Sequence, residues 1–256
     1  MFYDIETSPN IGLFWRSGHR LTIDHNNIIK ERQIICVSYK WEGKDKVYTI
    51  DWGSNQCDKK ILRKFIPILD KADEIIAHNG DSFDIKWIKG RAMKHRMMMQ
   101  PQYNTVDTLK MARGKHGGSF NSNKLEYLAK FLDVPHKKAD IGFDTWKKIL
   151  LYKCEDSLKE MIMYCEQDIR TLEEVWKILR QYTPHHTHEA VLQGEEKWQC
   201  PTCTSTNIRK HDSAVTATGT IRYVMRCKNC GRTYRISGLS HTKYLEFKWG
   251  KDREAH

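Results

Sequence analysis

FYDIET, residues 2–7, places two carboxylates, Asp4 and Glu6, two positions apart in an apolar, β-prone run. In a strand, residues i and i+2 point to the same side, so Asp4 and Glu6 share one face, with Phe2, Tyr3 and Ile5 around them. Like charges on such a face repel and are costly to desolvate. A hard divalent cation with oxygen ligands answers that repulsion. An exposed edge strand with ordinary acids is the other reading of this stretch alone. Only Met1, Phe2 and Tyr3 precede Asp4, so either a central strand here is short or a few upstream residues are missing from this chain.

Beyond this stretch, residues 8–31 read as mostly loop, on Pro9, Gly12 and Gly18. QIICVSYKWEG (33–43) and KVYTIDWG (46–53) are β-rich and meet at Gly43-Lys44-Asp45, as in a hairpin. DKKILRKFIPILDKA (58–72) carries Ile61, Leu62, Phe65, Ile66 and Leu69 at helical spacing. DEIIAHN (73–79) reads as a short strand, DSFDIKWIKGRAMKHR (81–96) as a helix, and YNTVDTL (103–109) as another strand end before a brief helix. GKHGGSFNSN (114–123) is a loop with no core to bury, and KLEYLAKFLDV (124–134) an amphipathic helix. Asp156 through Tyr182 is the longest helical pattern. Strands first, then strands alternating with helices, imply a mixed α/β sheet with antiparallel strands at one edge.

Further acids lie at element boundaries. HNGDSFD (78–84) puts Asp84 at the start of a helix that follows a strand, where α/β sheets place their chemistry. YCEQD (164–168) puts Tyr164 and Asp168 four apart, on one face of the last long helix. Taken singly, Asp84 suits a helix N-terminus, Tyr164 a core edge and Asp168 a solvated surface. Together, in this order, FYDIET, HNGDSFD and YCEQD resemble the three motifs of the DEDD 3′→5′ exonuclease family, which has an RNase H-like fold. The resemblance covers roughly residues 1–182 and extends to VDTL (106–109) and the LEYLAKFL helix. It implies that Asp4, Glu6, Asp84 and Asp168 are the metal-binding acids. Tyr164 stands four residues before the last Asp and position 163 is Met, so the chain is similar to the tyrosine subtype.

The chemistry agrees with that likeness. Phosphodiester hydrolysis must stabilise charge on an attacking and a leaving oxygen, and two Mg²⁺ or Mn²⁺ ions about 4 Å apart do so. Asp4 is expected to bridge both ions, Glu6 and Asp168 to hold mainly the water-activating one, Asp84 the other. Tyr164 is expected to orient the water, since a phenol of pKa about 10 is a poor base at neutral pH. The resemblance implies that Asn79 meets the scissile end. Phe14 and Trp15 either stack on the terminal base or pack on the sheet. Lys86, Lys89, Arg91, Lys94 and Arg96 make the motif-two helix basic, for a phosphate backbone or as a solvated face. Asp107, Asp140 and Asp144 receive no role.

The formal net charge of +11 favours polyanions, nucleic acid above all. No apolar run approaches the ~20 residues that span a bilayer, and no basic-then-apolar leader opens the chain. The expected location is therefore intracellular, cytoplasmic and reducing. Cys36, Cys57, Cys154 and Cys165 read as ordinary free thiols. Cys200, Cys203, Cys227 and Cys230 form two CxxC pairs suited to one structural Zn²⁺, with disulfides as the alternative. The assembly resembles a zinc ribbon. Arg209, Lys210, Arg222, Arg226, Lys228, Arg232 and Arg235, interleaved with Tyr223 and Tyr234, suit a grip on nucleic acid; a ribbon that docks a protein is the alternative.

The expected plan is thus an exonuclease domain at 1–182, a linker at 183–198 with exposed His185, His186 and His188, and a ribbon domain at 199–256. The expected substrate is a single-stranded DNA 3′ end. An exoribonuclease and a non-catalytic nucleic-acid-binding or scaffold protein are the alternatives. A polymerase or a replication or repair partner acting in trans is the expected company.

Overall fold

The computed structural model describes residues 1–16, 18, 22–135, 141–183 and 187–254. Asp140, His185 and His186 lie outside the described residues. The chain divides into two units, Met1–Tyr182 and Thr183–His256.

The first unit runs β1 (Phe2–Thr7), β2 (Ile11–Gly12), β3 (Ile28–Lys30), β4 (Ile34–Lys40), β5 (Val47–Asp51), α1 (Lys59–Leu69), β6 (Ile75–Ala77), α2 (Asp84–Lys94), β7 (Thr105–Asp107), α3 (Thr108–Arg113), α4 (Leu125–Phe131), α5 (Phe143–Tyr152) and α6 (Glu155–Tyr182). Five strands form a mixed sheet in the order β5-β4-β1-β6-β7. The β5-β4-β1 side is antiparallel and the β1-β6-β7 side parallel. This is the mixed α/β sheet expected, flanked by helices.

The short strand β1 stands at the centre, held on both edges and both faces. It pairs with β4 from Phe2↔Lys40 to Thr7↔Ile34 and with β6 at Phe2↔Ile76. Phe2 meets Trp176 of α6 edge-on at 5.2 Å, and Tyr3, on the opposite face, lies 6.1 Å from Phe65 of α1. Both are fully buried. Each such burial contributes roughly 1.5–3 kcal/mol, so two residues before Asp4 anchor the strand. β4 is buried on both faces, hence its unbroken apolar run Ile34–Val37. Met161, Cys165, Ile169, Leu172, Trp176 and Leu179 form the buried stripe that lays α6 on the sheet.

Several segments differ from expectation. The stretch 8–31 contains the small β2–β3 ladder, Ile11↔Lys30 and Gly12↔Ile28. Helix α5 falls between the two segments read as helices; Trp146, Ile149 and Leu150 give it an i, i+3, i+4 stripe. Ile149 and Leu150 are buried and the Trp146 indole N–H donates to the Thr7 carbonyl (3.0 Å). The loop at 114–123 does have something to bury: Phe120 packs edge-on Phe131 at 5.3 Å. Gly117 permits its course, because a Cβ there would stand 2.0 Å from the Ala112 carbonyl oxygen.

The second unit contains α7 (Glu189–Leu192), β8 (Ile208–Val215), β9 (Ile221–Cys227), β10 (Thr233–Ile236) and α8 (Gly238–Glu254). The three strands form an antiparallel sheet in the order β10-β9-β8. Its core is Trp198, Ile208, Met225, Ile236 and Tyr244 with Cys200 and Cys227. The segment expected as a plain linker supplies part of this unit: Ala190 in α7 and Trp198 are buried, and Trp198 lies 4.7 Å from Phe247. A buried tryptophan at its end ties the segment to the sheet.

Candidate functional site

Alternation along β1 aims Phe2, Asp4 and Glu6 at α6, and Tyr3 and Ile5 at the other face. The face changes from apolar to acidic as α6 runs across it, from Trp176 against Phe2 to the turn of Tyr164, Cys165 and Asp168 near the acids. Carboxylate oxygens of Asp4, Glu6 and Asp168 lie within 4.8 Å of one another. Asp84, at the first turn of α2, joins from the other edge: β1 leaves β6 after Phe2, and the freed Ile5 N–H donates to Asp84 Oδ1 (3.1 Å). Gly80 permits this approach, since a Cβ there would stand 2.5 Å from Ala77 Cβ and 3.3 Å from the Tyr3 hydroxyl.

The electrostatics are those of crowded negative charge. Burial, then Asp168 and Asp84, push Glu6 up to about 8. Burial, against the hydrogen bond from Ile5, lifts Asp84 to about 7, with Asp107 adding to the rise. Asp4 is raised by burial and by Asp84, Glu6 and Asp168. Hard oxygen donors that resist ionisation side by side fit divalent cations, whose charge removes the penalty. Tyr164 is half-buried and its hydroxyl donates to Asp168, one turn on; burial and the charges of Asp168 and Glu6 hold the phenol well above its ordinary value. It is a hydrogen-bond donor, not a base.

Two residues without an expected role belong to this site. Cys165 is no ordinary thiol: fully buried, it donates to Asp4 Oδ2 (3.3 Å) and contacts Cys36, the residue paired with Glu6. Its place between Tyr164 and Asp168 in YCEQD was the available signal. Asp107, at the end of β7, caps α3 and accepts the Asn79 N–H through Oδ1 (2.9 Å). Its Oδ2 is buried with no hydrogen-bond partner among the described residues. Asp107 thus holds Asn79 in the left-handed conformation (φ 65°) that asparagine tolerates. Asp144, by contrast, is exposed and pairs with Lys147.

Phe14 is 56% exposed and Trp15 fully so. Of the two readings of this pair, packing on the sheet is not what the structure has. In α2, Lys86 and Lys94 are exposed, as is Arg96 just beyond its end, while Arg91 is buried. Arg91 makes a two-pronged bond to Asp58 (2.5 and 3.0 Å), which His95 also meets, so it serves the core.

In the second unit, the four sulfurs of Cys200, Cys203, Cys227 and Cys230 lie within 4.8 Å of one another. Cys200–Cys230 and Cys203–Cys227 are each 3.6 Å apart. That exceeds a disulfide bond of about 2.05 Å and suits the edge of a tetrahedron of thiolates about 2.3 Å from a Zn²⁺ ion. The four cysteines are free in this structure, and their cluster is compatible with a zinc site. Burial pushes Cys227 up, but backbone N–H groups of Cys230 and Asn229 outweigh it and bring the thiol to about 7. Gly231 (φ 75°) supplies the left-handed turn that closes the second knuckle.

The family model RNase_H_2, described as RNase_H superfamily, matches residues 1–180. The fold is similar to that of a family B DNA polymerase from the hyperthermophilic archaeon Pyrobaculum calidifontis, with a TM-score of 0.52 and 14% sequence identity. That match covers 70% of this chain and 24% of the polymerase. No curated protein matches the sequence. Among the described residues, no helix is long and apolar enough to cross a membrane.

Proposed function

The chain belongs to the RNase H superfamily, and we propose that it is a metal-dependent nuclease that removes nucleotides from 3′ ends, of DNA first of all. The observation that carries the reading is the convergence of Asp4, Glu6 and Asp168 at β1 and α6, with Asp84 bonded to the same strand. These four acids would hold two Mg²⁺ or Mn²⁺ ions. When bound, such ions neutralise charge on the phosphate and make water acidic enough to attack near neutral pH. The chain's own residues do the rest. Cys165 and the Ile5 N–H hold the carboxylates of Asp4 and Asp84 in place. Tyr164, kept protonated, would turn its single O–H from Asp168 to the attacking water once that carboxylate holds an ion. Asn79, turned by Asp107, faces the scissile end. Phe14 and Trp15 offer uncovered aromatic surface for the terminal base. The similarity to part of a DNA polymerase supports work beside a polymerase or a replication or repair partner in trans. The four-cysteine cluster of the second unit would hold one structural Zn²⁺.

The test is incubation with 3′- and 5′-labelled single- and double-stranded DNA and RNA, with Mg²⁺, Mn²⁺ or EDTA. The expected result is a metal-dependent ladder shortening from the 3′ end, strongest on single-stranded DNA. A ladder on RNA alone makes the enzyme an exoribonuclease. Shortening from the 5′ end, or no cleavage with either ion, overturns the reading.

A further inference from the structure

We infer that the open face of the β8–β10 sheet, where Arg209, Arg222, Arg226 and Arg235 stand together, binds the phosphate backbone of a nucleic-acid strand. Between Gln199 and Ile236 the sequence holds seven Lys/Arg against the single acid Asp212. The strand register sorts them. Arg226 lies directly opposite Arg209 on β8 and Thr233 on β10; Val224 lies opposite Asp212 and Arg235; Arg222 lies opposite Ala214. Directly paired residues share a face, and so do residues two apart, so all four arginines are on one side. The other side carries Met225, Cys227, Tyr234 and Ile236, packed in the core with Trp198 and Tyr244.

All four arginines are exposed, and none makes an ion pair among the described residues. Like charges directly across a strand pair destabilise a sheet. An ordinary solvated face would balance its signs; this one sets four arginines against the single Asp212, an excess that a polyanion would reward. Four thiolates with Zn²⁺ would add two negative charges, and they sit on the side of Cys227, opposite Arg226. Four of the other expected partners are engaged elsewhere, Arg232 among them through a bond to the Thr183 carbonyl (2.9 Å). Lys210 lies over the Tyr223 ring at 5.1 Å, Tyr223 stacks on His241 at 3.8 Å, and the Tyr234 hydroxyl donates to the Trp198 carbonyl (2.7 Å). No tyrosine therefore joins the arginine face. A grip without stacking reads phosphates alone, so it is indifferent to base and to sugar.

The test uses the full-length, zinc-loaded protein without added Mg²⁺ or Mn²⁺. Fluorescence anisotropy follows labelled oligo-dT and oligo-rU over about 50–300 mM KCl. Arg→Gln at all four positions is expected to weaken both ligands at least about tenfold and to flatten the salt dependence by about 0.7 per lost contact. Arg→Lys at all four is expected to retain the steep salt dependence. The double variant Arg222→Gln/Arg235→Gln, which leaves the central pair, is expected to give half the change in slope. Zinc content and circular dichroism identify variants that keep the ribbon. Unchanged affinity and slope in a zinc-retaining variant overturn the inference, and are the outcome if the face serves an acidic protein instead. Binding is read without hydrolysis, so the result does not depend on whether the first unit cleaves 3′ ends.

Discussion

The carboxylate cluster on β1 and α6 and the four-cysteine cluster of the second unit could each hold a metal ion, and they are built in opposite ways. Asp4 and Asp168 are brought together by a sheet and a 28-residue helix that bury extensive apolar cores around them. The acids work against that scaffold, as the raised Asp4, Glu6 and Asp84 show. The four cysteines sit in two local turns around a core of few apolar side chains. There a metal would contribute folding energy directly, because little else orders the turns. On the proposed function, the first set would serve chemistry at the expense of stability, and the second would serve stability itself.

The severest challenge to this contrast is to remove one acid. Asp4→Ala or Asp168→Ala is expected to reduce 3′-end cleavage by more than about 100-fold, since even residues behind metal ligands are worth 10–100-fold. Melting temperature is expected to hold or rise, because a repulsion is relieved. Wild-type cleavage in either variant removes the acids from the site. Next in size, Cys203→Ser is expected to lose zinc and hydrogen-exchange protection across β8–β10, while protection in β1, β4 and α6 persists. Full zinc content in that variant would sink the ribbon reading.

A smaller effect probes the catalytic side. Tyr164→Phe keeps the ring and removes the donor, so turnover is expected to fall about 10–100-fold while Mn²⁺ binding, followed by calorimetry, stays put. Unchanged turnover excludes Tyr164 from the chemistry. The smallest effect is on stability against pH. Glu6 at about 8 and Asp84 at about 7 lie above their ordinary values, 4.5 and 3.8. The folded state therefore binds these protons more tightly than the unfolded chain. Their contribution is present at acid pH and is lost as pH rises toward about 8. Without Mg²⁺ or Mn²⁺, the first unit is expected to melt lower at pH 8 than at pH 5.5, and Mn²⁺ to restore it mainly at the higher pH. A flat profile contradicts the crowding of charge.

Much of the fold was legible because its elements carry clean periodicity. α1 and α6 each show an apolar stripe, and β4 an unbroken apolar run. α5 is harder to read, because its signal rests on Trp146, Ile149 and Leu150 alone and no side chain caps its start. Arg91 looked like surface charge; its partner Asp58 is 33 residues away, and only the α1–α2 packing joins them. Asp107 looked idle because its work, holding the Asn79 backbone, leaves no trace in local spacing.

Local repeats in the sequence are enough to pair Asp4 with Glu6 on a strand, Tyr164 with Asp168 on a helix, and cysteine with cysteine in each knuckle. Period 2, period 3.6 and a tight turn suffice for that. Which pairs meet, and what stands between them, is a property of the tertiary structure. The Cys165 thiol against Asp4, the Ile5 N–H on Asp84 and four arginines on one sheet face arise from packing and register between segments distant in the chain. The crowding of charge among the acids arises in the same way, because it depends on how closely α6 and α2 close over β1.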